Sequence, residues 1–418
     1  MPGFEPFRGV RYTVGAQPPG ATAPIDLDRV GAPPYDVIDE AERQMYARRH
    51  SRNAVRLILP GDHFVAGDRY AAAADDYRLW RYEGTLAVDP APRFYGYRID
   101  YADTDGTTHA TVGVLGALEL PARPGEGDIL PHERTIAKAK SDRLDLLRAT
   151  RLNLDPIWGL SLASGLTALV EAAAGDDLGG CVDDDGHRHR LFAIDDPARV
   201  AEIRNAIAGA PVVLADGHHR FETACTYRDE CAQGPAGTTA ATTGAHAIMT
   251  LIVELAEEQL TIQAIHRLVT LTPGFEARAA LADAFSLVPV ASLDAVPPST
   301  SGLVLVERDA LHVLEPRADV LAKELADEPD MLQAVDAAIV ERVIAPRWAD
   351  ATWTFRHDAD EILAQVRNGS FDAGLVLRPP SVATTRAAAS ARVRMPQKTT
   401  FFYPKPRTGL VFRDLDVS

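Results

Sequence analysis

Apolar and polar positions along this chain follow two periods, and the points where one gives way to the other mark its elements. From Arg69 to Tyr82 the apolar residues Tyr70, Ala73, Tyr77 and Trp80 stand near helical spacing, which predicts a helix with one buried face. Phe94 to Tyr101 and Thr107 to Leu120 are apolar-rich runs separated by Asp103 to Gly106, which predicts two strands and a turn. The short run Ala54 to Leu59, stopped by Pro60-Gly61, reads as a buried strand. Asp39 stands where a cap is wanted for a helix beginning near Glu40. A long helix is predicted from about Ile136 to Leu152, then a strand from Ile157 to Leu162 and a helix from Leu166 to Ala174. Asp183-Asp184-Asp185-Gly186 reads as a hairpin turn, and Ala198 to Ala208 as a helix.

At Pro211 the pattern changes. Pro211-Val212-Val213-Leu214 is a short apolar strand, Ala215-Asp216-Gly217-His218-His219-Arg220 follows at once, and Phe221 to Cys231 continues as a helix. The Gly/Ala/Thr-rich stretch Gln233 to Gly244 marks a loop or boundary, and Ala247 to Leu255 reads as another buried strand. The remainder alternates helical and strand-like pieces. With 418 residues the chain predicts two or three domains at about 150 residues each. We divide it into 1–245 and 246–418, the second a C-terminal α/β domain whose tail returns to the first. The alternation as a whole predicts an α+β or mixed α/β fold.

Composition changes this picture little. Hydrophobic residues make up 46% and charged residues 24%, ordinary for a globular chain able to bury cores. The net charge of −16 excludes a general nucleic-acid binder, which needs clustered Lys and Arg, but leaves room for a local nucleotide pocket. Three cysteines, Cys181, Cys225 and Cys231, suggest neither a disulfide framework nor a zinc site, and are expected to be structural. No basic start with an apolar run opens the sequence, and no run nears the ~18 apolar residues of a membrane span. The expectations are therefore a cytoplasmic location, a small-molecule substrate, no nucleic-acid or membrane partner, and a homodimer as the one assembly to test for.

The candidate chemistry lies first in Asp216 to Arg220. A strand that turns through glycine into a helix presents backbone N–H groups and the positive end of the helix dipole, an anion site. Gly217 allows close approach, His218, His219 and Arg220 add donors, and Asp216 is placed to bind Mg²⁺ or steer a hydroxyl. The competing reading is an ordinary N-cap at Asp216 with polar residues on the helix start. A second cluster is His132-Glu133-Arg134-Thr135, followed by Lys138, Asp142 and Arg143. Here Glu133 is a candidate base and His132 a proton shuttle or phosphate donor, against a bland capped helix with a Lys138–Asp142 pair. The third is Lys398 with Lys405 among prolines and aromatics, positioned to reach a phosphate or merely to protect a strand edge. His187-Arg188-His189 has metal-like spacing, but its place after an Asp-Gly turn predicts hairpin surface. The sequence holds no GxxxxGK[ST] loop, no GxGxxG opening, no HExxH and no GxSxG elbow.

Several of these segments together resemble the domain of unknown function 1015 family: Gly31-Ala32-Pro33-Pro34-Tyr35-Asp36-Val37-Ile38, His132-Glu133-Arg134-Thr135, Asp142-Arg143-Leu144, Asn153 with Pro156-Ile157, Ala215 to Ala224, and Met395 to Lys405 with Thr408-Gly409-Leu410. They span nearly the whole chain. The sequence departs from the family pattern at Ile265-His266-Arg267, where Pro-Thr-His-Arg is expected, and at Asp155, where a small hydroxyl residue is expected. The Asp-Gly-His-His-Arg segment also resembles the second box of the ParB/sulfiredoxin-like fold, a group that includes partition proteins, sulfiredoxins and kinases of free serine. That resemblance implies a ParB/sulfiredoxin-like core in 1–245. It also implies ATP or ADP as co-substrate, Mg²⁺ on Asp216, and nucleotide or phosphate contacts from Gly217, His218, His219, Arg220, Lys398 and Thr135. Glu133, Asp216 and His132 become the catalytic candidates. His218 and His219 stand where a sulfiredoxin would need its reactive cysteine. A phosphotransferase acting on free serine or a similar small metabolite is the leading expectation. A nucleotide-binding regulator without turnover, and a metal-dependent hydrolase using His132, His218, His219 and an acid, are the rivals.

Overall fold

The computed structural model describes residues 1–61, 69–102, 106–123, 125–134, 141–233, 244–296 and 303–417. The chain forms two compact units. The first joins Met1–Pro131, Ala137–Leu260 and Pro404–Ser418, and the second joins His132–Ile136 with Thr261–Tyr403. This is the mixed α/β class expected, but the division differs from a cut at residue 245. The strand Ala247–Glu254 lies inside the main sheet of the first unit, parallel to Ile157–Ser161 on one side and antiparallel to Thr108–Glu119 on the other.

That sheet holds nine strands, eight of them in the order Ile129–Pro131, Val212–Asp216, Ile157–Ser161, Ala247–Glu254, Thr108–Glu119, Phe94–Ala102, Arg188–Ile194 and Asp177–Val182. Phe4–Glu5 pairs with Thr108–Glu119 off this path. Val212–Asp216 and Ile157–Ser161 are apolar throughout their middles because both sheet faces are covered. Helix His218–Gln233 presents Phe221, Ala224 and Cys225, at i, i+3 and i+4, to the same core as Ile157, Val212, Leu214 and Ile252. Phe4 and Phe94 stack there with ring centroids 5.0 Å apart. A four-stranded sheet of Leu86–Val88, Gly9–Tyr12, Phe412–Asp414 and Leu152–Asn153 ties the C-terminal strand into the same unit.

The second unit holds a six-stranded antiparallel sheet, Phe285–Val290, Leu311–Pro316, Leu303–Val306, Ala373–Val376, His266–Thr270 and Thr352–Arg356, and a two-stranded sheet of Thr261–Ala264 with Thr400–Tyr403. Leu281, Phe285, Leu305, Leu314, Trp348 and Leu375 form the middle of its core.

Most predicted elements are found within a few residues of their expected bounds. The Asp39 cap is a full capping box, in which Asp39 accepts from the Glu42 N–H and Glu42 accepts from the Asp39 N–H. The stretch from Ala54 to Leu59 is a correction: it holds a helical turn, Val55–Ile58. Asn53 Oδ1 accepts the Val55 N–H at 2.9 Å, a local cap that favours the helical path over an extended one. The long helix is described from Ser141 to Thr150, and the expected start at 136–140, with Lys138, lies outside the described residues. Asp142 there pairs with Arg69 at 2.6 Å and Arg143 at 2.6 Å. Cys181, Cys225 and Cys231 form no disulfide, and Cys181 and Cys225 are buried. His187 and His189, expected at the surface, are instead 5% and 0% exposed. No helix among the described residues is long and apolar enough to cross a membrane.

Candidate functional site

The apolar strand Val212–Asp216 delivers its last residue to the edge of the core. Its pairing with Ile157–Ser161 runs in register to Leu214↔Gly159, then skips to Asp216↔Trp158, so the chain bulges at Ala215 and re-aims Asp216. Gly217 follows with φ +87°, and a β-carbon there would lie 2.7 Å from Ile157 Cγ2. Glycine is required on both counts. The helix then starts at His218, and the Phe221 N–H closes its first bond on Gly217 O at 2.9 Å. The N–H groups of the first turn point away from the helix, as those of any helix start do.

Asp216 is the centre of this turn. Its Oδ1 accepts from Lys405 Nζ at 2.5 Å and its Oδ2 from Arg220 at 2.7 Å. Burial alone would favour the neutral acid, but Lys405 and Arg220 outweigh it and hold the carboxyl well below the ordinary range. Arg220 also donates to Pro156 O at 2.7 Å, and its guanidinium lies 5.7 Å from the centre of the Tyr35 ring. Arg143 lies over the same ring at 4.4 Å and donates to Ile58 O at 2.7 Å. Two guanidinium groups therefore flank one aromatic ring. Asp155 is buried beside them, bonded to the Thr408 hydroxyl, and burial raises its pKa against the pull of Arg220. Tyr35, Arg143, Asp155 and Arg220 line the polar part of a cavity of about 60 Å³ whose apolar wall includes Leu147 and Ile248. His218 and His219 are half-buried on the first helical turn.

The predicted site residues thus fall into two groups. Asp216, Gly217, His218, His219 and Arg220 meet in the first unit, joined by Lys405 from the third cluster, Arg143 from the second, and Tyr35 and Asp155, for which the sequence suggests no role. His132, Glu133 and Lys398 meet in the second. Thr135 lies outside the described residues.

In the second unit Glu133 is saturated. Its Oε2 accepts the Lys398 N–H at 2.9 Å, and its Oε1 accepts the Thr399 N–H at 3.0 Å, the Thr400 N–H at 2.8 Å and the Thr400 hydroxyl at 2.8 Å. His132 Nε2 lies 3.2 Å from Oε1 and 2.7 Å from the Thr400 hydroxyl. Burial pushes the Glu133 pKa up, but His132 and the Thr400 donors prevail and bring it to about 2. Lys398 has φ +57° in the turn that supplies these N–H groups, and its side chain is exposed. Its carbonyl accepts from the buried Arg267 at 3.0 Å. The carboxylate thus fills a nest of three consecutive backbone donors.

Three solved structures illustrate what the chain is similar to. A conserved hypothetical protein from Pyrococcus furiosus is 8% identical, with 68% of this chain and 90% of that one covered at a TM-score of 0.37. A free serine kinase in complex with AMP is 9% identical, with 69% and 88% covered at 0.38. SbnI with a C-terminal truncation, from Staphylococcus aureus, is 12% identical, with 71% and 85% covered at 0.39. Likeness of this size assigns neither a ligand nor an activity. No curated protein sequence matches the chain. The model of the family described as "Protein of unknown function (DUF1015)" matches residues 4–338, and the chain belongs to that family.

Proposed function

We propose that this protein is a phosphotransferase that moves phosphate from ATP or ADP to the hydroxyl of free serine or a similar small metabolite. The observation that carries the reading is the Asp216 turn, where one half-buried carboxylate sits between Lys405 and Arg220 at the start of a helix. Phosphoryl transfer asks mainly for positioning and for charge on the phosphate oxygens, and demands little covalent chemistry of the protein. The first-turn N–H groups, His218, His219 and Arg220 receive those oxygens, and Lys405 adds a point charge. A ParB/sulfiredoxin-like core in the first unit belongs to the same reading.

Mg²⁺ fits the donor chemistry at Asp216. Such an ion takes one or two carboxylates and completes its shell with water and phosphate oxygens. Asp36 and Asp155 supply further negative charge that Arg220 senses. When bound, the ion would neutralise charge on the phosphates. Asp216, held ionised by Lys405 and Arg220, orients the acceptor hydroxyl, whose proton leaves late, to an oxygen of the transferred phosphate. Glu133, its oxygens occupied and its pKa near 2, is a poor proton acceptor at neutral pH. His132, Glu133 and Lys398 are accordingly read as the frame of the Lys398–Thr400 turn.

The test is ³¹P NMR of the purified protein with Mg²⁺, L-serine and either ATP or ADP, beside an Asp216→Ala variant. A phosphoserine signal that disappears in the variant supports the reading. Nucleotide that binds but is never consumed overturns it in favour of a regulator.

A further inference from the structure

We propose that Asp183, His187 and His189 form a binding site for one divalent transition ion, with Zn²⁺ the best match to their donors. The site is separate from the Asp216 turn and does not rest on the function proposed above.

The hairpin between Asp177–Val182 and Arg188–Ile194 carries all three residues. Among the described residues they are the one group of three or more His, Cys, Asp or Glu whose ligand atoms converge, all within 4.8 Å of one another. The turn fixes the carboxylate. Asp183 Oδ1 accepts the backbone N–H groups of Asp185 at 3.0 Å and His187 at 2.8 Å. That leaves Oδ2 facing the rings, 3.1 Å from His187 Nδ1 and 3.0 Å from His189 Nε2. Bonds of about 2.0–2.1 Å to a tetrahedral Zn²⁺ place ligand atoms roughly 3.3 Å apart, so the two distances from Asp183 Oδ2 to the rings need to lengthen by only a few tenths of an ångström.

The surroundings also suit a metal. The Asp183, His187 and His189 side chains are 9%, 7% and 0% exposed. His189 is the most deeply buried of the three. Its other nitrogen, Nδ1, lies 2.7 Å from the Tyr97 hydroxyl, which is itself held by the Arg407 N–H at 2.9 Å. A hydrogen bond from the second ring nitrogen is the usual way a metal-binding imidazole is oriented. The opposing charge is the Arg407 guanidinium, which lies 3.8 Å from Asp184, and Asp184 also pairs with Arg49 at 2.9 Å. Two imidazoles and one carboxylate favour Zn²⁺ over Mg²⁺ or Ca²⁺, which prefer oxygen shells, and leave a fourth position for water.

The experiment is calorimetric titration of the metal-stripped full chain with ZnCl₂, with Co²⁺ absorption as a second readout. The expected result is one Zn²⁺ per chain and visible bands of tetrahedral Co²⁺. Both should be lost in His187→Ala and in Asp183→Asn, which retains the Oδ1 acceptor of the turn. A His218→Ala/His219→Ala double variant should bind as the native chain does. Failure of the natively folded chain to bind Zn²⁺ stoichiometrically would overturn the proposal. So would binding unchanged in a folded His187→Ala, or lost only in the His218/His219 variant.

Discussion

Asp216 and Glu133 are both shielded carboxylates held below their ordinary pKa, yet they are held by opposite means. Asp216 is matched by the ends of two long side chains, Lys405 and Arg220. Glu133 is matched by three consecutive backbone N–H groups, with a hydroxyl and an imidazole added. Side-chain cations can swing from a carboxylate to an arriving phosphate, whereas backbone donors in a fixed turn cannot leave without the turn coming apart. The first arrangement is that of a site awaiting a ligand, and the second that of an internal tie. Burial and pKa shift are alike in both, so neither marks function by itself.

The largest expected effect is on turnover. Asp216→Ala should lower phosphoserine formation ~10³-fold or more, about 4 kcal/mol of barrier, the scale on which preorganised charge acts in catalysis. Its fold should survive, because Lys405 and Arg220 side chains remain 13% and 12% exposed and can take up water. Retained turnover would remove Asp216 from the chemistry and break the comparison.

Glu133→Ala should show the reverse. It leaves the Lys398, Thr399 and Thr400 N–H groups without their acceptor, at about 1–3 kcal/mol for each that water cannot reach, so a loss of ~3 kcal/mol in chemical denaturation is expected. The pH dependence follows from the same carboxylate. Its folded pKa of about 2 lies below the ordinary glutamate value of 4.5, so its contribution is complete above about pH 4.5 and is lost as pH falls toward 2. Glu133→Gln should flatten that acid limb. An unchanged limb would mean that the carboxylate is not the tie it is drawn as.

The Asp216 turn was legible in the sequence because every part of it is local: an apolar strand, a glycine and a helix start within the seven residues from Val212 to His218. Its partners were not. Lys405 lies 189 residues away along the chain, and its place among prolines and aromatics marked it without saying what it meets. The same limit explains His187 and His189. The Asp-Gly turn predicted the hairpin correctly, but Tyr97, the residue that covers His189, comes from a neighbouring strand 92 residues earlier. The error at Ala54 to Leu59 is of another kind. Short apolar runs suit a buried strand or a buried helical turn equally, and one Asn53 hydrogen bond decides. Glu133 was read as a base because its type allowed it, while the donors that occupy it come from residues 398–400.

Gly217→Ala tests whether the local part of the Asp216 turn is as rigid as its geometry implies. The new β-carbon meets Ile157 Cγ2 at 2.7 Å in a backbone conformation of φ +87°. A cost of ~1–3 kcal/mol is expected from the strained backbone, together with weaker nucleotide binding if the chain relaxes by moving His218. A variant of native stability would show that the turn yields, and the site would then owe less to its backbone than to its side chains.

The smallest effect sharpens the other half of the comparison. Thr400→Val removes one hydroxyl that donates to Glu133 Oε1 at 2.8 Å and lies 2.7 Å from His132 Nε2. It keeps the shape of the side chain and leaves all three backbone donors in place. His132 also keeps Glu133 within 3.2 Å. If the backbone nest is the tie, the loss should be ~1 kcal/mol, that of a single hydrogen bond, and well below the loss in Glu133→Ala. A loss equal to that of Glu133→Ala in the same denaturation series would place the anchoring in the Thr400 and His132 side chains. Glu133 would then resemble Asp216 after all, a carboxylate held by groups able to let it go.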